Sequence, residues 1–155
     1  MLCLYLHSHD CPNAADIMQK KLFTLSTSVF YDPLVREAPE DLEGYLNSDH
    51  IGLSFLQDYK DGVDNFLKSN GQGRRVKIAV PNFSSVSTYL KGTDMLATLP
   101  SLMALVELKD FTSVPLPFSF TTGKMYMIWH QSYQHDEQHK WLRKEMIEIA
   151  NSLPV

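Results

Sequence analysis

Arg74-Arg75-Val76-Lys77-Ile78-Ala79-Val80-Pro81-Asn82-Phe83-Ser84-Ser85-Val86 leads on to Leu90-Lys91-Gly92-Thr93-Asp94-Met95-Leu96-Ala97-Thr98-Leu99-Pro100, and this stretch decides the fold. Val76 to Val80 is a run of strand length, and Pro81 stops it because proline brings no amide to a ladder. Ser84 and Ser85 can cap a helix that carries Val86, Tyr89 and Leu90 and ends at Gly92. Met95 to Leu99 is the next strand, closed by Pro100. Strand, helix and strand in this order form the crossover unit of a parallel sheet.

The same alternation extends in both directions. Towards the N-terminus, Leu2 to Leu6 reads as a short buried strand and His7 to Asn13 as a loop. Phe23, Leu25, Thr27, Val29 and Tyr31 alternate with mostly small polar residues, the period of one half-buried strand. Pro39 opens a short helix with Leu42, Tyr45 and Leu46 on its apolar face, and Ile51 to Leu56 is a strand. Val63, Phe66 and Leu67 mark a helix ended by Asn70-Gly71-Gln72-Gly73. Towards the C-terminus, Ser101 is expected to cap a helix with Leu102, Leu105 and Val106. Phe111 to Phe118, broken by Pro115 and Pro117, suits an edge strand. Lys124 to His130 is the last strand. In the final helix Asp136 is the N-cap, and Leu142, Met146, Ile149 and Leu153 form an apolar stripe with Trp141 beside it. Together these elements imply an α/β layered fold with a largely parallel sheet.

Composition narrows the function. The 155 residues suffice for one domain or two small lobes; 44% are hydrophobic and 21% charged, which excludes wholesale disorder. Fourteen Lys and Arg against 18 Asp and Glu give a net charge of −4, without the basic footprint of a free-standing nucleic-acid binder. Two cysteines, Cys3 and Cys11, make no disulfide framework and favour a reducing compartment. The apolar run Leu2–Leu6 is too short for a signal-peptide core or a membrane span, so a cytoplasmic protein without membrane attachment is expected. Met1 runs straight into a strand-like segment, and the chain is expected to be a piece of something longer.

Enzyme chemistry finds little support. Cys3, His7, His9 and Cys11 are zinc-type residues, but their spacing fits no finger, and a buried Cys3 beside a polar loop explains them. His135 and His139 share a helix face, yet Asp136 stands where a zincin needs Glu, so a solvated first turn is the better account. No Gly-x-Ser-x-Gly is present. Gly71-Gln72-Gly73-Arg74 precedes a strand and lacks a Lys-Ser/Thr ending, so it is not a phosphate loop, and Arg74 and Arg75 read as a solvated basic spot. No catalytic residue, metal or cofactor is expected. Binding is better supported. Pro81-Asn82-Phe83-Ser84-Ser85 brings helix-start amides, two hydroxyls and an aromatic ring together, a natural anion site, and His50 could face the same crevice. Plain capping with a core Phe is the rival account.

Several stretches in order are similar to the effector-binding domain of LysR-type transcriptional regulators. They are Tyr31-Asp32-Pro33, Leu42-Glu43-Gly44-Tyr45-Leu46 leading to His50, the whole Arg74–Ser84 and Leu90–Pro100 runs, Pro115-Leu116-Pro117, Met127-Ile128-Trp129-His130 and His139-Lys140-Trp141-Leu142-Arg143. The resemblance covers almost everything from about Leu22 onward, and it looks like the branch whose members respond to aromatic acids and related small molecules. It implies a periplasmic-binding-protein-like type 2 fold, with lobe II nearly complete over 26–128 and a partial lobe I in 1–25 and 129–155. Nothing matches the family's DNA-binding winged helix, so DNA contact would run only through a domain absent from this sequence. Carried over by position, the resemblance implies a small-molecule effector, an aromatic or other organic acid, held by Asn82, Phe83 and Ser84, with His50, Ser54 and Thr98 in support. It further implies a non-enzymatic sensor for transcriptional regulation and a homo-oligomer, since the Trp141–Leu153 stripe would lack some of its usual strands. Two rivals stay open: a dimerisation module without ligand-dependent regulation, and a small hydrolase or metalloprotein built on the His-rich ends.

Overall fold

A computed structural model describes residues 2–7, 15–54, 62–120 and 123–154; for 2–7 it describes the backbone only. The chain divides into two compact units, Thr27–Phe120 and Met1–Ser26 with Thr121–Val155.

The Thr27–Phe120 unit holds a five-stranded sheet. Its strands are β3 (Thr27–Tyr31), β4 (Asp49–Leu53), β5 (Arg75–Val80), β6 (Leu96–Pro100) and β7 (Thr112–Pro115), in the order β5-β4-β6-β3-β7. β4 runs parallel to β5 and β6, whereas β3 is antiparallel to β6 and β7. Helices α1 (Leu42–Asn47) and α2 (Gly62–Ser69) serve one apolar core with Val29, Tyr45, Val63, Leu67 and Leu96. Helix α3 (Phe83–Leu90) serves the other, where Val86 and Leu90 meet Phe30, Ile51, Val80, Ala97 and Leu99. Alternate residues of β3 and β6 enter opposite cores: Val29 against Phe30, Leu96 against Ala97. Covering both faces in this way is what a parallel sheet requires. Gly52 is needed for close approach, because a Cβ there would lie 2.8 Å from Val76 Cγ1. Gly92, at φ +74°, ends the α3 segment and donates its N–H to Asp32 Oδ2 at 2.7 Å.

The other unit is an antiparallel sheet in the order β1-β8-β2, built from β1 (Leu2–His7), β2 (Ile17–Thr24) and β8 (Lys124–His130). Helix α4 (Glu137–Ser152) packs against β2 and starts at Asp136, whose Oδ1 accepts the His139 N–H at 2.8 Å.

Several expectations change. The alternating run Phe23–Tyr31 is not one strand: it breaks after Thr24, and β2 and β3 belong to different sheets. Ile17–Lys21, unassigned from sequence, is strand because it pairs with β8. By contacts the chain rejoins the Met1–Ser26 unit at Thr121, since β8 pairs with β1 and β2. Asp41, after Pro39, caps α1. Ser101 is not at the cap position: it is the first residue of a 3-10 turn, Ser101–Leu105, whose cap position is Pro100, without a side-chain cap. The α4 stripe is only partly covered. Arg143 and Ala150 face inward, while Trp141 and Ile149 are 63% and 62% exposed, which agrees with an apolar stripe short of partners. Strands Val76–Val80 and Lys124–His130, helix α2 and the Asp136 cap stand as expected, and β7 lies at a sheet edge.

Candidate functional site

The site forms where the parallel strands end. From β4 the chain leads to α2 on one face of the sheet, and from the neighbouring β5 it leads to α3 on the other. Connections departing to opposite faces leave a crevice at the carboxyl ends of the two strands, the usual ligand position in open α/β sheets. Ser54 and the Pro81–Ser85 segment lie at these strand ends. The Ser54 N–H donates to Val80 O at 2.9 Å and its hydroxyl to the same oxygen at 3.3 Å, which fixes Ser54 beside Pro81.

Asn82 is the cap of α3. Its backbone is extended (φ −159°, ψ 166°), and its Oδ1 accepts from the Ser85 N–H at 2.9 Å and from Ser85 Oγ at 2.8 Å. Asn82 therefore does the capping that sequence assigned to Ser84 and Ser85. Ser84 Oγ is left exposed at the positive end of the helix dipole. Phe83 is half-buried and packs on the α3-side core.

His50 and Thr98 lie elsewhere. His50 belongs to β4 itself and pairs with Val76, whereas Leu53 pairs with Val80 beside the crevice. The imidazole is thus four residues before Ser54, about 13 Å along the strand at ~3.3 Å per residue. It is fully buried, bonds Tyr45 O through Nε2 at 2.8 Å, and meets the Tyr45 ring edge-on at 4.6 Å. Burial pushes its pKa down to about 4, against the opposing hydrogen bond to Tyr45. Thr98, in the middle of β6, has its hydroxyl 2.8 Å from Tyr45 Oη on the α1–α2 side. The structure brings Ser54, Asn82, Phe83 and Ser84 together and does not bring His50 to them.

Two polar groups escaped sequence reasoning. Arg74 is not solvated: its side chain is 1% exposed, donating to Asp64 Oδ1 at 2.7 Å and to Tyr45 Oη at 3.3 Å. Arg75 is the exposed member, paired with Asp49 alongside Lys77. Ser28 Oγ and Ser101 Oγ approach to 2.6 Å at the carboxyl end of β6. Counting on from the Ile51–Ala97 pair puts Ser54 level with Pro100, so these hydroxyls lie at the same end of the sheet. Their only signal in sequence was position, Ser28 just inside the start of β3 and Ser101 just past the end of β6.

Among the described residues no group of His, Cys, Asp and Glu could hold a metal. His135 is exposed and His139 stacks on Tyr133 at 4.2 Å. His9 and Cys11, and the side chains of Cys3 and His7, lie outside the described residues. No described helix is long and apolar enough to cross a membrane.

The family model for the LysR substrate binding domain matches residues 29–150. The chain belongs to the LysR substrate binding domain family. It is similar to the HTH-type transcriptional activator NagR of Ralstonia sp, 29% identical over 115 residues, which cover 73% of this chain and 38% of NagR. The chain thus spans about two fifths of the curated relative it matches. The regulatory domain of MexT, a transcriptional activator in Pseudomonas aeruginosa, superposes with a TM-score of 0.75 at 25% identity, over 94% of this chain and 73% of that one. The regulatory domain of Synechocystis PCC6803 CcmR, solved in complex with 2-PG, shares the fold at a TM-score of 0.72 and 13% identity, over 98% and 75%. The fold is therefore the periplasmic-binding-protein-like type 2 fold of LysR effector-binding domains, and the family's members are transcriptional regulators that sense small molecules.

Proposed function

We propose that this chain is the sensing part of a LysR-type regulator, with Thr27–Phe120 acting as lobe II, and that it takes a small organic acid at the Ser54–Ser84 crevice. One observation carries the reading. Asn82 meets the capping need of α3 through Ser85, which leaves the Ser84 hydroxyl and the dipole's positive end for an anion beside Ser54. The half-buried Phe83 supplies an apolar flank, which suits an aromatic acid. His50 and Thr98 act one layer back, by holding Tyr45 and through it the α1 face, and touch no ligand. The CcmR regulatory domain is known in complex with 2-PG, which fits a small-molecule ligand.

In the whole regulator, ligand binding would favour one lobe arrangement and so re-space DNA-binding heads, a shift of populations. The function is regulatory, without catalysis or cofactor, in a cytoplasmic homodimer. The exposed Trp141 and Ile149 support association, because burying such side chains gains roughly 25 cal/mol per Å². Thermal-shift titration with aromatic carboxylates tests the ligand reading, repeated on Ser84→Ala. The hydroxyl should contribute about 1–2 kcal/mol as a hydrogen bond to a charged ligand. Equal shifts in both proteins remove Ser84 from the site, and no shift with any carboxylate sinks the sensor reading. Light scattering decides the oligomer: a clean monomer at micromolar concentration removes the homodimer.

A further inference from the structure

Besides Ser54 and Asn82, the carboxyl end of the five-stranded sheet carries a bonded pair of hydroxyls. Ser28 Oγ and Ser101 Oγ lie 2.6 Å apart and part-buried, although 73 residues separate them in sequence. Ser28 stands opposite Leu99 in the β3–β6 ladder, and Leu99 belongs to the α3-side core. Directly opposed residues of an antiparallel pair point to one face, so Ser28 is on the α3 side. Ser101 follows β6 at once, and the turn it opens runs over that same side, where Met103 and Ala104 pack on the core that Phe83 also touches. The hydroxyl pair and the start of α3 therefore share one face and one end of the sheet.

Only β4 separates β5 from β6. Two inter-strand spacings put the Ser101 end of β6 about 10 Å from the Pro81 end of β5. That width suits one small ring with a hydrogen bond of ~2.8 Å on either side. The strand between them ends in Leu53, half-buried on the α3-side core, so the ground between the two polar groups is apolar. Each serine hydroxyl has one donor and two acceptor positions, and their mutual bond uses one position of each, which leaves the pair able to meet a third hydroxyl. Segments 27–28, 53–54, 80–85 and 99–102 contain no charged side chain. One negative charge can rest at the positive end of the α3 dipole, whereas a second would lose water there without a counter-charge from these segments.

We infer that Ser28 and Ser101 are specificity-determining residues of the crevice: among single-ring acids they select one with a neutral hydroxyl on the side of the ring away from its carboxylate. The carboxylate would meet the Ser84 hydroxyl and the Asn82 amide. Asn82 Oδ1 is taken by the Ser85 N–H and Oγ, so Nδ2 is the part of that amide turned to a ligand. The ring would cross the Leu53 end of β4 beside Phe83, and its hydroxyl would join the Ser28–Ser101 pair. This rests on the reading of the crevice as the ligand site and names what that ligand carries at its far end.

Calorimetric titration of the whole chain with benzoate, 4-hydroxybenzoate and benzene-1,4-dicarboxylate tests it. The hydroxyl should tighten binding about three- to tenfold over benzoate, the range of one neutral hydrogen bond. Ser28→Ala and Ser101→Ala should each erase that gain and leave the affinity for benzoate unchanged, which also shows that both variants are folded. Ser84→Ala should weaken the two monoacids alike, and the dicarboxylate should bind no better than benzoate. Benzoate held through Ser84 with no preference for the hydroxyl, or with a preference that survives in both alanine variants, overturns the inference and leaves the crevice reading standing. A dicarboxylate that binds more tightly than the hydroxy acid overturns it as well. Absence of binding by all three acids, or binding that Ser84→Ala leaves intact, overturns the crevice reading itself and the inference with it.

Discussion

The two ends of β4 carry similar residue types and behave differently. At the carboxyl end, Ser54, Asn82 and Ser84 are exposed; Asn82 bonds within its own turn, and Ser54 bonds Val80 O at the end of the neighbouring strand. At the amino end and beneath it, His50, Tyr45, Thr98 and Arg74 are buried and bonded to one another or to nearby backbone. Groups whose bonds are closed by tertiary contacts contribute to stability and leave nothing for a ligand. Groups that the fold holds in place without enclosing are the ones that can bind. Polar residue types alone do not separate these roles; burial and bonding do.

Mutation at the closed end should have the largest effect. Tyr45→Ala removes a fully buried ring from the α1–α2 core, strands the Thr98 hydroxyl and takes a partner from Arg74. A loss of about 3–5 kcal/mol in urea unfolding is expected; a loss under one would mean that the two ends are energetically alike. His50 gives the next effect. Its folded pKa, about 4, lies below the ordinary 6.5, so the neutral ring's contribution is complete above pH 6.5 and falls away as pH drops towards 4. The full loss amounts to about 3 kcal/mol. An NMR titration should find His50 still neutral at pH 5.5, and a half-protonated ring there would contradict its burial.

The open end should respond weakly in stability and strongly in binding. Asn82→Ala should cost about 1 kcal/mol through the lost cap, read as a lower midpoint of thermal unfolding. Ser54→Ala should change stability by less than about 0.5 kcal/mol, because its hydroxyl is exposed and its one bond long. It should still weaken a carboxylate ligand measurably by calorimetry. If Ser54→Ala proves as destabilising as Tyr45→Ala, the contrast between the ends fails.

Most strands and helices were legible because their signals are local. Pro81 and Pro100 punctuate β5 and β6, Gly92 closes the α3 segment, and Asp136 caps α4 through a contact only three residues long. The site was half legible for the same reason. The Pro81–Ser85 turn is a local motif, whereas the distance of His50 from it depends on the β4–β5 register. Arg74 looked like a surface charge because Tyr45 and Asp64, which bury and neutralise it, are distant in sequence.

By itself the sequence determined the alternation of most elements, the Asp136 cap and the family, since periodicity, punctuation and motif order need no partner. Only the tertiary structure decided that Phe23–Tyr31 splits between two sheets, and that Trp141 and Ile149 face outward while Arg143 faces in. Those outcomes depend on which strand or helix lies alongside. A period of two or of 3.6 marks an apolar face without naming the surface that covers it.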